Sequence, residues 1–140
     1  MRAPGFTLLE SLVVLLIVAL AATALPRVSG ARQGGIVRAA ADGVAASLRE
    51  ARLVARADGR ETRVVFDTGP GTVRPARGPA RPLPAGVRLA VEGAAAEAGA
   101  EGRIAIRFDA EGGSTGGRVT VALGSHAAAV EVDWMTGHVR

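Results

Sequence analysis

The sequence predicts an α+β fold, a long N-terminal helix packed on an antiparallel β-sheet or small β-sandwich. Three observations predict it. An apolar run fills residues 6–25, with Glu10 as its only charge. Apolar residues then recur at steps of three and four between residues 36 and 55. After Gly59 the period changes to two. Periods of 3.6 and 2 belong to a helix and to strands that each bury one face.

The apolar run has 20 residues, Phe6 to Leu25. At 1.5 Å per residue its helix reaches about 30 Å, the thickness of a bilayer's hydrocarbon core. A carboxylate inside such a segment costs a few kcal/mol on insertion scales, which marks Glu10 as functional. If the chain is cut after Gly5, the new ammonium on Phe6 lies one helical turn from Glu10. In a stack of identical helices, the ammonium of one subunit can neutralise the carboxylate of its neighbour.

The string GFTLLE at residues 5–10, the apolar run behind it and a short leader with one Arg resemble the type IV prepilin signature. Pilins and type II secretion pseudopilins share that signature. The resemblance implies cleavage between Gly5 and Phe6 by a prepilin peptidase, N-methylation of Phe6, and assembly of the helix into a filament core through Glu10. It divides the chain into a leader (1–5), a transmembrane or filament-core helix (6–25), a hinge and amphipathic stem helix (26–59) and a periplasmic β domain (60–140). The protein would then cross the bacterial inner membrane once, with its C-terminal domain in the periplasm.

Two plainer readings compete. Ala22-Thr23-Ala24 fits the A-x-A pattern of a secretory signal peptide, but Pro26 follows closely and Glu10 would sit at the head of the apolar region. A simple anchor leaves Glu10 unexplained. Arg27, Arg32 and Arg38 follow the run and only Arg2 precedes it, so the positive-inside rule favours the opposite orientation. The motif implies the extracytoplasmic one.

Pro26, Gly30, Gly34 and Gly35 make a weak joint behind the span. Val37, Ala40, Val44, Leu48, Ala51 and Ala55 then form one apolar stripe, with Arg38, Asp42, Arg49, Arg52 and Arg56 mostly away from it. The arginines read as a solvated helix face in preference to a nucleic-acid stripe. Asp58-Gly59 ends the helix, Gly59 suiting a left-handed cap.

Five period-two segments follow: Thr62 to Phe66, Val87 to Val91, Ile104 to Phe108, Val119 to Leu123 and Val130 to Trp134. Each presents one apolar face, as half-buried antiparallel strands do. Met135-Thr136-Gly137 reads as a tight turn that returns the chain through Val139 as a short last strand. Residues 68–84, rich in Pro and Gly with Arg74, Arg77 and Arg81, read as an irregular exposed loop. Residues 93–102, rich in Ala, Gly and Glu, read as a second loop.

The chain has no cysteine and two histidines, His126 and His138, which are too few and too far apart for a metal site. The run Gly112-Gly113-Ser114-Thr115-Gly116-Gly117 lacks the Lys of a phosphate loop, precedes a strand and follows Asp109 and Glu111, so it reads as a strand connection. No serine is placed with a His and an acid in a nucleophile elbow. The sequence therefore points to a structural subunit with no enzymatic activity, cofactor or metal.

The segments IAIRFDAEGGSTGGRVTVAL (104–123) and VEVDWMTGHVR (130–140) resemble the GspH/FimT family of minor pseudopilins and pilins. The resemblance implies a minor pseudopilin of a type II secretion system, partnered by other pseudopilins, the prepilin peptidase and the inner membrane. The alternative is a FimT-like type IV minor pilin that binds DNA during natural transformation. That branch implies a basic Gly-Arg-x-Arg patch, where this chain has Gly137-His138-Val139-Arg140. Net charge is +4 over residues 26–60, +2 over 61–92 and −2 over 93–140, all the base being Arg. Nucleic acid is a poor partner for an acidic C-terminal third.

Overall fold

A computed structural model describes residues 8–93 and 102–140, apart from the side chains of 23–31. It comprises helix α1 (Leu8–Asp58) and seven strands: β1 (Thr62–Asp67), β2 (Thr72–Arg74), β3 (Arg81–Pro82), β4 (Arg88–Glu92), β5 (Arg103–Phe108), β6 (Gly117–Leu123) and β7 (His126–Val132). Compact packing divides the chain into Met1–Gln33 and Gly34–Arg140. Most of residues 93–102, the second expected loop, lies outside the described residues.

In the first unit the helix exposes Leu8, Leu9, Leu12, Leu15, Leu16 and Leu20 along with the residues between them. The helix backbone continues through Pro26 and Gly30. Among the described residues no helix is long and apolar enough to cross a membrane. Of the expected span, 6–25, only residues 8–22 have described side chains.

In the second unit the stem stripe is buried as its spacing requires. Val37, Ala40, Val44, Leu48, Ala51 and Ala55 are all in the core, joined by Ala41 and Ala45. Five of these eight are alanines, whose small side chains let a sheet approach the helix closely. Gly59, at φ +61°, ends the helix with a left-handed residue, and the Arg60 N–H bonds back to the Ala55 carbonyl. The Thr62 hydroxyl then donates to the Ala51 carbonyl at 2.7 Å, fixing where β1 leaves the stem.

The strands form two antiparallel sheets, β3-β2-β1-β5 and β4-β6-β7. Val64, Phe66, Ile106 and Phe108 of the first and Leu89, Val119, Val121, Val130 and Val132 of the second share one core with the stem stripe. Each lies on the inward-facing side set by alternation.

Three expectations need correction. Residues 68–84 are not irregular throughout. Gly71, at φ +65°, reverses the chain, the Leu83 N–H bonds to the Gly71 carbonyl, and β2 and β3 extend the first sheet. Pro82 is tolerated because β3 is an edge strand with little ladder to lose. Second, β7 begins at His126, four residues before the apolar alternation is visible, because Ala127, Ala128 and Ala129 pair in register with β6 without a strong pattern of their own. Third, Trp134 is not an inward-facing strand residue; it is 69 % exposed. Asp133 ends the strand first, its carboxylate accepting from the N–H groups of Met135 and Thr136 and from the Thr136 hydroxyl. Side-chain bonds of this local kind compete with the sheet ladder and start turns.

Those bonds make the Asp133 turn pH-sensitive. The Thr136 N–H and then its hydroxyl hold the Asp133 carboxyl below its ordinary 3.8 against desolvation, with smaller help from the Met135 N–H and the Arg140 charge. A depressed folded pKa stabilises the fold at pH values above the unfolded pKa, and the contribution is lost as pH falls through the folded value. The stability advantage of the native chain over Asp133→Asn should therefore be constant above about pH 5 and shrink below about pH 4. Urea unfolding of both proteins across that range is the measurement. A difference that stays flat into strong acid would show that the carboxylate charge is not held by the turn.

Candidate functional site

Two regions carry the residues singled out by the sequence, the N-terminal helix and the C-terminal loops of the β domain. Gly5 and Phe6 lie outside the described residues. Glu10 stands in the first turn of α1, where the partial positive charge of the helix N-terminus favours a carboxylate. Around it, Ser11 apart, the helix is apolar through residue 22. Leu8 is 83 % and Leu9 75 % exposed, and Leu12, Val13, Val14, Leu15, Leu16, Ile17 and Val18 are all solvent-facing in the isolated chain. A surface helix of a globular protein keeps a polar face; one apolar all round is built to be enclosed, by lipid or by other helices.

The C-terminal loops are built as one tied cluster. The Gly-Ser-Thr connection seals an open edge of β5. The Arg107 carbonyl accepts from the Ser114 hydroxyl at 2.7 Å and from the Thr115 N–H, and the Arg107 N–H donates to the Thr115 hydroxyl. An unpaired edge would otherwise be open to pairing with another chain. Gly113 N–H bonds to the Asp109 carboxylate at 2.7 Å, so the acid that argued against phosphate binding occupies the loop's own donor. Ser114 N–H reaches the Trp134 carbonyl, joining this loop to the final turn.

The final turn returns as expected. Val139 bridges to Val132, and Arg140 and Glu131 exchange both backbone hydrogen bonds. Gly137 sits at φ +63°, where a Cβ would lie 2.3 Å from the Gly112 carbonyl oxygen, so only glycine permits this contact of turn and loop.

The sequence did not reveal what two stem arginines do. Arg52 donates to the Gly112 carbonyl and Arg49 reaches the Val139 carbonyl, so these guanidinium groups fasten the stem to both C-terminal loops. Nor did it reveal that the His126 ring, at the start of β7, lies beside Gly34 of the stem. Among the described residues no three acids, histidines or cysteines come together as a metal-binding group.

Residues 1–26 match the model of the prokaryotic N-terminal methylation motif, the segment that carries Glu10. Residues 40–137 match the model of type II transport protein GspH, which takes in the buried stem stripe, both sheets and the tied loops. The chain is 34 % identical over 137 residues to "Type II secretion system protein H" of Xanthomonas campestris pv. campestris, covering 97 % of this chain and 81 % of that one. The fold is similar to that of the type IV minor pilin FimU of Pseudomonas aeruginosa, with a TM-score of 0.54 at 12 % identity, over 74 % of this chain and 86 % of the other. A stem helix on antiparallel sheets, headed by a methylation motif and matched along its length, places this chain in the GspH family of type II transport proteins.

Proposed function

We propose that the chain is a minor pseudopilin of a type II protein secretion system, a structural subunit of the periplasmic pseudopilus that helps export folded proteins across the outer membrane. The observation that carries this reading is the family match over residues 40–137 together with the methylation motif over 1–26. The exposed apolar helix supports the same reading, since a filament core or a bilayer would enclose it. On this reading prepilin peptidase cuts between Gly5 and Phe6, Phe6 is N-methylated, and Glu10 docks the subunit against other pseudopilins. The chain is held in the inner membrane by residues 6–25, with the β domain in the periplasm.

The DNA-binding alternative draws no support from the C-terminus. Arg140 is bonded to Glu131 through its backbone and its charge acts on Asp133, so an acid lies near the terminal Arg. A phosphate-binding patch needs the opposite surroundings.

Processing supplies the direct test. The membrane form isolated from cells should begin at Phe6, and its N-terminal peptide should carry one methyl group. Mass spectrometry of that peptide decides the matter. A mature start at Leu25 would mean signal-peptidase cleavage and would sink the pseudopilin reading.

A further inference from the structure

The outward face of the first sheet carries an arginine cluster that assembly through the N-terminal helix does not use. Strand register fixes its layout. Val65 lies opposite Arg74 on β2 and Ala105 on β5. Two residues along in one direction Arg63 lies opposite Arg107, and two residues in the other Asp67 lies opposite Arg103 and Thr72. Alternation puts these side chains on one face, because Val64, Phe66, Ile106 and Phe108 fill the core on the other. Four guanidinium groups thus surround a half-buried apolar centre, Val65 and Ala105. A cavity of about 250 Å³ opens in this face, bordered by Arg63, Arg74 and Arg103.

Among the described residues two carboxylates pair with the cluster. Asp67 pairs with Arg103 at 3.2 Å and Glu61 with Arg107 at 3.9 Å. Among the described residues neither Arg63 nor Arg74 has a carboxylate within ion-pair distance. The register also sets Arg63 and Arg107 side by side, and like charges directly opposite destabilise an antiparallel pair. An anion placed over the face would relieve that opposition.

We propose that this face docks an acidic segment of a protein partner, one whose carboxylates are grouped about an apolar side chain. Arg63 and Arg74 offer planar forks that suit carboxylates, and Val65 with Ala105 offers the apolar seat between them. A phosphodiester backbone fits less well. It brings no apolar group to the centre, and Asp67 and Glu61 stand beside the positions its phosphates would take.

The probe is a fluorescein-labelled peptide with Glu residues flanking a central Leu-Val pair, titrated by anisotropy against the full chain in a non-ionic detergent. Binding should be clear at about 0.05 M salt, weaker at about 0.15 M, and lost when the peptide's Glu residues are replaced by Gln. Arg63→Gln combined with Arg74→Gln should weaken it about tenfold or more, while the thermal midpoint is unchanged or raised because the Arg63–Arg107 opposition is gone. Arg74→Gln alone, at an exposed strand end, should weaken it several-fold and decides the matter if the double variant does not fold. The proposal is overturned if the native chain does not bind the peptide, if both variants bind it as well as the native chain, or if duplex DNA of matched charge binds more tightly. The measurement needs neither a filament nor secretion, so its failure leaves the proposed function standing.

Discussion

Phe66→Ala is expected to cost about 3–5 kcal/mol, the range for removing a fully buried aromatic ring. Phe66 is fully buried on β1, opposite Val73 on one side and Ile104 on the other, in the core shared by the stem stripe and both sheets. A domain of this size has about 5–15 kcal/mol of total stability, so the loss is a large part of the whole. With no cysteine in the chain, no disulfide can hold the weakened fold. The variant should unfold at much lower urea and accumulate poorly in cells. Leu53→Ala is the control. Leu53 is 66 % exposed on the same stem helix, and its truncation should stay within about 0.5 kcal/mol. A cost for Phe66→Ala below about 1 kcal/mol would mean that the ring is not packed between the sheets and the stem.

The same core explains how much of the fold is legible in the residues themselves. The stem stripe could be read because its apolar residues have no other period, and every one of its six named positions is buried. The inward faces of β1, β4, β5 and β6 could be read for the same reason, since large apolar residues recur at every second position while Arg, Asp, Glu, Thr or smaller residues hold most of the others. Where side chains carry little contrast, periodicity is silent. Ala127 to Ala129 pair fully with β6, yet three alanines have no preferred face to announce. β2 and β3 are too short to show alternation; β2 is laid against β1 by the turn at Gly71, and β3 then pairs with β2 across residues 75–80. Trp134 misled because its size outweighed a local fact, the capacity of Asp133 to accept three hydrogen bonds and end the strand at Val132.

The candidate site divides in the same way. Glu10 stands out because one acid in a long apolar run violates the composition around it. Arg49 and Arg52 could not be told from a solvated face, since their partners are carbonyls some 90 and 60 residues away, brought close only by the fold. The arginine face of the first sheet was equally hidden. Arg63, Arg74, Arg103 and Arg107 become one cluster only when β2, β1 and β5 are aligned in register.

Glu10→Ala should stop assembly while leaving processing intact. The replacement is smaller and uncharged, so insertion of the apolar run becomes easier by a few kcal/mol on insertion scales. Gly5 and Phe6 are untouched, and cleavage between them should continue. What changes is the environment offered to the next subunit. Glu10 heads a helix whose large exposed side chains are all apolar, so on the proposed reading enclosing that helix in a filament places the carboxylate in a medium of low dielectric constant. There it would face the ammonium of an adjacent mature N-terminus. Removing one member of a buried ion pair strands the other charge and costs about 3–5 kcal/mol, whereas an exposed pair contributes at most about 1 kcal/mol. A loss of that size lowers affinity for the filament by about a hundredfold or more. The variant should therefore build up as membrane-bound protein that starts at Phe6, with secretion strongly reduced, when it replaces the native gene in a deletion strain. Glu10→Gln, close to the native residue in volume, should fail in the same way if charge is the cause and succeed if packing is. Full secretion by the alanine variant would show that Glu10 is dispensable for docking, as it would be for a subunit seated at the filament tip with no neighbour ahead to neutralise.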